Sequence, residues 1–319
     1  MFIKDEEKVK VVGLYHPPWF MTTAEDSSDE ETYEGFLVDM MNEISKRINV
    51  KFNISLAKSN FHGIRNESGH WNGLIGEVMQ GRADLGIADL TITPEREKAV
   101  DFSLPFAHTG IGVLMKRPPY YITSNDSDVR ASKTRPLIIY PVSSIEDLTK
   151  QGVVKYGALQ YGSTFNFFNV NFIVYDIVIF QLFVCLLQTS TNPIYKKIGE
   201  YLSKQSYLPQ SYGEAAHEVY ESDGKYMFFM EETSIDYLTG KDCDYARLDE
   251  NVGDREFGIA MRKGYHLKSR INSAINDLQE EGFLKQLMQK WFSSPLACNI
   301  QIERIYKRNI LDLVINGLK

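Results

Sequence analysis

The chain has 319 residues, enough for a sizeable core and two domains, and its 43% hydrophobic and 24% charged content is that of a globular protein. A formal net charge of −7 argues against a nucleic-acid partner. Cys185, Cys243 and Cys298 make no dense disulfide framework, and with no CxxC pair or metal-type Cys/His spacing, no metal and no cofactor are expected.

In chain order, Lys8 to Leu14 reads as a short strand, and HPPWF then turns because Pro17 and Pro18 cannot sit inside a regular strand. EDSSDEE at 25–31 is an acidic, solvated loop. Phe36, Leu37, Met40, Met41, Ile44 and Ile48 recur at a helical period. Lys51 to Leu56 alternates as a strand, Asn72 to Gln80 is a short helix closed by Gly81, and Ala83 to Asp89 returns to strand. The rhythm is that of an α/β sheet.

GIADLTITPEREKAVDF at 86–102 raises a question of charge. Gly86 to Thr93 reads as strand, Thr93 as a helix cap and Pro94 as the first helical residue. Glu95 and Glu97 suit the positive end of a helix, whereas Arg96 does not. An acidic neighbour or an anionic guest would account for it. Thr91, just before the cap, offers a hydroxyl or is an ordinary strand residue.

Pro105 to Leu114 leads into a second composition, and Pro118 to Arg135 is a polar linker. Ser144 caps a helix running to Lys150, and Val153 to Leu159 is a strand followed at once by QYGST and another helix. Gly162, Ser163 and Thr164 there suit an anion or a plain cap. Tyr226 to Met230 is a strand, and Glu231 behind it suits an ammonium group or a helix cap. Tyr33 walls a pocket or merely packs. Lys268 to Gln289 is helical with an interruption at Gly282. The six histidines are scattered and read as structural or surface residues, and no nucleophile with an organised base appears, so the chain is not expected to be an enzyme.

Two α/β lobes with a cleft between them are therefore expected. The stretches YEGFLVDMMNEI (33–44), WNGLIGEVMQGRADLGIADLTITPERE (71–97), VDFSLPF (100–106), GIGVLMKR (110–117), YGALQYGSTFNFF (156–168), GKYMFFMEET (224–233) and FGIAMRKG (257–264) occur in an order and spacing that resembles the ligand-binding domain of ionotropic glutamate receptors. That family is related to the periplasmic amino-acid-binding proteins. The resemblance implies a two-lobe, periplasmic-binding-protein-like α/β clamshell with an interlobe ligand cleft. It implies lobe 1 at 8–115 and 259–298, lobe 2 at 116–258 with an apolar insertion at 169–188, and a tail at 299–319.

The same resemblance implies the site. Arg96 corresponds to the arginine that clamps a ligand α-carboxylate, with Thr91 beside it. Glu231 corresponds to the acid that accepts the α-ammonium, Ser163 and Thr164 to donors for a side-chain carboxylate, and Tyr33 to an aromatic wall. Asp89 stands where many members have Pro, and Phe257 where some have Tyr. Cys243 and Cys298 correspond to a disulfide pair. The implied ligand is a small amino acid, L-glutamate, and the implied partners are receptor subunits of the same family. The implied location is the extracellular face of the plasma membrane. A free-standing soluble amino-acid-binding protein is the alternative, and an enzyme on that fold a more distant one.

Membrane contact is expected only through segments this sequence does not contain, or through Phe172 to Leu187. That stretch has 16 residues, roughly 24 Å as a helix, short of the ~20 residues a span needs. MFIKDEEKVK does not read as a signal peptide. Sequons at Asn53, Asn66 and Asn125 permit glycosylation.

Overall fold

The structure, a computed structural model, describes residues 8–23, 32–66, 68–117, 142–160, 162–169 and 192–293. The linker at 118–135, the apolar stretch at 172–187, Asn125, Cys185, Cys298 and the tail at 299–319 lie outside the described residues. Cys243 is disulfide-bonded.

The first lobe is built on a five-stranded sheet of order β4-β1-β5-β12-β6. Its strands are β1 (Lys8–Gly13), β4 (Lys51–Leu56), β5 (Leu85–Ile87), β6 (Asp101–Phe102) and β12 (Ala260–Met261). A small hairpin, β2 (Met21–Thr22) with β3 (Tyr33–Glu34), lies off this sheet. β1 runs parallel to β4 and β5, while β12, far along the chain, pairs antiparallel with β5 and β6. α1 (Phe36–Ile48) follows the sequence periodicity to the residue and buries that apolar face. It packs against α9 (Lys268–Glu280) and α10 (Phe283–Phe292) from the far end of the chain. Gly282 separates those two helices at φ 73°, a left-handed conformation that a Cβ would strain. Trp19, Phe36, Phe106 and Phe257 meet in one aromatic knot. Full burial of each such side chain contributes roughly 1.5–3 kcal/mol.

The second lobe centres on β7 (Ala107–Lys116), β8 (Lys155–Ala158), β9 (Tyr226–Glu231) and β10 (Tyr245–Arg247), in the order β10-β7-β9-β8, with β11 (Val252–Phe257) also paired to β7. Helices α4 (Ile145–Lys150), α5 (163–169), α6 (Pro193–Ser203), α7 (Tyr212–Glu221) and α8 (Glu232–Lys241) surround it. Phe168, Met227 and Phe229 are fully buried in its core.

β7 and β11 belong to both lobes. Ala107 and Phe257, paired at one end, pack in the first core, whereas Ile111 and Val252, paired further along, pack in the second. The chain enters lobe 2 on β7 and returns on β11, so two antiparallel strands join the halves. The result is the mixed α/β two-lobe clamshell expected from sequence. Local caps also hold: Ser144 Oγ accepts from the Asp147 N–H at 3.0 Å. The strand expected over Gly86 to Thr93 is shorter than the sequence suggests. Regular pairing stops at Ile87, and Thr91 forms only an isolated bridge with Phe257. Beyond Ile87 the backbone turns out of the sheet to feed α3 (Pro94–Ala99).

Candidate functional site

The site is assembled where β1 and β5 end, the usual place for a ligand on an open α/β sheet. Thr93 caps α3 as its sequence indicates, accepting from the Arg96 N–H at 3.3 Å, and Pro94 opens the helix. Arg96 is 3% exposed. Its guanidinium donates to the Thr91 carbonyl at 2.8 Å and the Gly63 carbonyl at 3.3 Å. Gly63 has φ 117°, and a Cβ there would sit 2.7 Å from the Asn72 carbonyl, so glycine is needed to present this carbonyl. No carboxylate among the described residues comes within 4.0 Å of Arg96. The adjacent acid in the sequence, Glu95, pairs instead with Lys98 at 3.7 Å. Burial pushes the Arg96 pKa down to about 10, opposed by the charges of Glu231 and Asp89, so it stays cationic at neutral pH.

Facing it from lobe 2 is Glu231, 2% exposed. It occupies the N-cap position of α8, yet its side chain makes no capping bond. Its carboxylate instead accepts from Thr164 Oγ1 at 3.1 Å, Ser163 Oγ at 3.4 Å and Tyr212 Oη at 2.6 Å. Burial, and then the Glu231 charge, lift the Tyr212 hydroxyl well above its ordinary pKa, so it serves as a donor. The two lobes touch here: Thr91 Oγ1 and Ser163 Oγ are 3.0 Å apart.

Asp89 is buried beside this cluster, with its carboxylate turned onto two imidazoles. His62 Nε2 lies 2.9 Å from Oδ1, and His16 Nδ1 lies 3.1 Å from Oδ2. The second contact has ion-pair distance but not the direction of a hydrogen bond. Burial alone raises the Asp89 pKa; the pull of His16 and His62 outweighs it and holds the carboxyl well below the usual carboxylate range. His16 also stacks on Tyr212 of lobe 2, with centroids 4.3 Å apart and planes 18° from parallel. A void of about 410 Å³ opens beside these rings, lined from both lobes by residues that include Leu14, His16, His62, Tyr212 and Tyr237.

Of the residues singled out in sequence, the fold brings Thr91, Arg96, Asp89, Ser163, Thr164 and Glu231 into or beside one buried cluster. Tyr33 stacks on Phe20 at 5.1 Å, and its hydroxyl accepts from the Leu56 N–H at 3.2 Å. Phe257 is fully buried in the lobe 1 core. Sequence reasoning missed His16, His62 and Tyr212. The histidines carry no ligand-type spacing, and Tyr212 looks like any helix-start aromatic behind its Ser211 cap. Among the described residues no cluster suited to a metal ion occurs, and no helix is long and apolar enough to cross a membrane.

Comparison with known proteins fits this arrangement. Residues 7–119 match the family model described as the ligated ion channel L-glutamate- and glycine-binding site. Human glutamate receptor 3 is 24% identical over 404 residues, covering 92% of this chain and 43% of that protein. A probable glutamate receptor of Lithobates berlandieri is 25% identical over 387 residues, covering 91% of this chain and 74% of that protein. The chain thus spans less than half the length of the human receptor. The 404 aligned positions exceed the 319 residues of the chain, so that receptor carries residues within the matched span that this chain lacks. Among solved structures, the Drosophila muscle GluRIIB complex with glutamate superposes with a TM-score of 0.73 at 24% identity, covering 90% of this chain and 99% of that one.

Proposed function

We propose that the chain is a domain of the ionotropic glutamate receptor ligand-binding type and that its cleft binds an α-amino acid, L-glutamate. The observation that carries this reading is the pairing of opposite buried charges across the lobes. Among the described residues Arg96 bonds only to neutral carbonyls and Glu231 only to hydroxyls, and the lobes meet between them at Thr91 and Ser163. A zwitterion matches that polarity. Its carboxylate suits the planar guanidinium fork of Arg96, with the Thr91 hydroxyl beside it, and its ammonium suits Glu231. Asp89 adds negative potential on the ammonium side while holding His16 and His62 in place.

A ligand that touches both lobes favours their closed arrangement by differential contact, and the β7–β11 strand pair is where the bend would occur. In a complete receptor that closure would gate an ion channel on the extracellular face of the plasma membrane, in an assembly with subunits of the same kind. The family is one of binding and receptor domains, not of catalysts. Cys243 with Cys298 as a disulfide, and Tyr33 as a cleft wall, belong to the same reading.

Calorimetric titration of the full chain with glutamate, aspartate, glycine and alanine tests it. Saturable binding that Arg96→Ala abolishes is the expected result. Equal heats from wild type and Arg96→Ala would overturn it.

A further inference from the structure

Resting on the amino-acid reading above, we infer that Arg255 is a second cation of the cleft, on its lobe 2 side, that receives the distal carboxylate of a dicarboxylic amino acid. Arg255 lies on β11, two residues before Phe257, which bridges Thr91. Its guanidinium sits 4.2 Å over the ring of Phe167. Phe167 and Ser163 are four residues apart on α5, so they share a helix face with about 5–6 Å between their Cβ atoms. Ser163 is the residue that contacts both Thr91, at 3.0 Å, and Glu231, at 3.4 Å. Arg255 is therefore held about one helical turn from the centre of the site.

The bonding of Arg255 is incomplete. Nη1 donates to the Asp254 carbonyl at 3.0 Å, whereas Nη2 is buried and has no hydrogen-bond partner among the described residues. A buried guanidinium donor without an acceptor is costly, and the group is in no ion pair among the described residues that would offset it. Burial lowers its pKa, and Glu231 is the foremost charge acting against that.

The hydroxyls that sequence reasoning set aside for a distal acid are already engaged. Thr164 donates to Glu231, and Ser163 is shared between Glu231 and Thr91. A second carboxylate arriving near Glu231 needs a cation to offset the repulsion, and Arg255 supplies one with a planar fork. Glycine and alanine have no distal acid and make no use of it. Arg255 thus separates acidic from small neutral amino acids, while Arg96 serves both.

The test is calorimetry on the full chain and on Arg255→Gln, with glutamate, glycine and alanine in parallel and a thermal melt to confirm folding. Glutamate affinity is expected to fall about tenfold or more, with whatever affinity glycine and alanine show moving less than about twofold. Should Arg255→Gln not fold, Phe167→Leu removes the ring beneath the guanidinium and is expected to weaken glutamate selectively by about threefold. Parallel losses for all ligands, or no loss for glutamate, overturn the assignment while leaving the amino-acid reading intact. A folded wild type that binds none of them overturns that reading and this inference together.

Discussion

The two lobes bury charges of opposite sign and stabilise them differently. Lobe 1 holds Arg96 with two backbone carbonyls, fixed by the course of the chain at Gly63 and Thr91. Lobe 2 holds Glu231 with three side-chain hydroxyls, from Ser163, Thr164 and Tyr212, whose hydrogens can turn toward a new acceptor. Neither set of partners neutralises its charge. A cation solvated only by dipoles remains a full cation to a ligand, and so does an anion. The carbonyl cradle is rigid and specifies where a carboxylate must lie. The hydroxyl cradle adapts, and Ser163 extends it across the interface to Thr91.

This contrast orders the expected effects of substitution. Arg96→Ala removes the fixed cation and leaves two buried carbonyls without their donors. Ligand affinity should fall by at least about a hundredfold, as expected for truncating one partner of a buried charge pair, read by calorimetry. Glu231→Gln keeps shape and hydroxyl contacts but removes the charge; affinity should fall about thirtyfold, since hydrogen bonds to charged groups are worth ~1.5–3 kcal/mol. A Glu231→Gln protein that binds as tightly as wild type would mean the ammonium is held elsewhere. Tyr212→Phe deletes one of three donors to Glu231 while keeping the ring on His16, so a loss of about 1 kcal/mol is expected in both binding and thermal stability. Ser163→Ala should cost less, about 0.5–1 kcal/mol, and should appear chiefly as a faster ligand off-rate in stopped-flow measurements.

Asp89 adds a pH test. Its folded pKa lies below its ordinary value because His16 and His62 face it. Its contribution to stability is thus present above the unfolded carboxylate pKa, ~3.9, and is lost as pH falls through the lower folded value. Wild type should melt above Asp89→Asn at pH 5, and the gap should narrow by pH 3. A gap that widens on acidification would show that the carboxylate is not held by the histidines.

The sequence was most informative where structure is local. The period of α1, the Thr93–Pro94 start of α3, the Ser144 cap and the Gly282 break depend on residues within a turn or two of one another, and all are found in place. Arg96 stood out because it violated a local rule, being a cation in the first turn of a helix. Ser163, Thr164 and Glu231 were legible as residues next to element ends, with their roles supplied by family resemblance.

What remained hidden is non-local. His16 and His62 converge on Asp89 because β1 and β5 are paired in a particular register and because the loop before α2 (Gly73–Met79) folds back over the sheet. Tyr212 reaches His16 only because β7 and β11 carry lobe 2 back over the mouth of lobe 1. Helix and strand periods report which face of one element is buried; they hold no information about which side chain of a second element will meet it. Propensity and capping energies act over a few residues, so the sequence sufficed for the elements and their ends. The placing of opposite charges across a cleft comes from sheet register and interlobe packing, which arise only when the whole chain is folded.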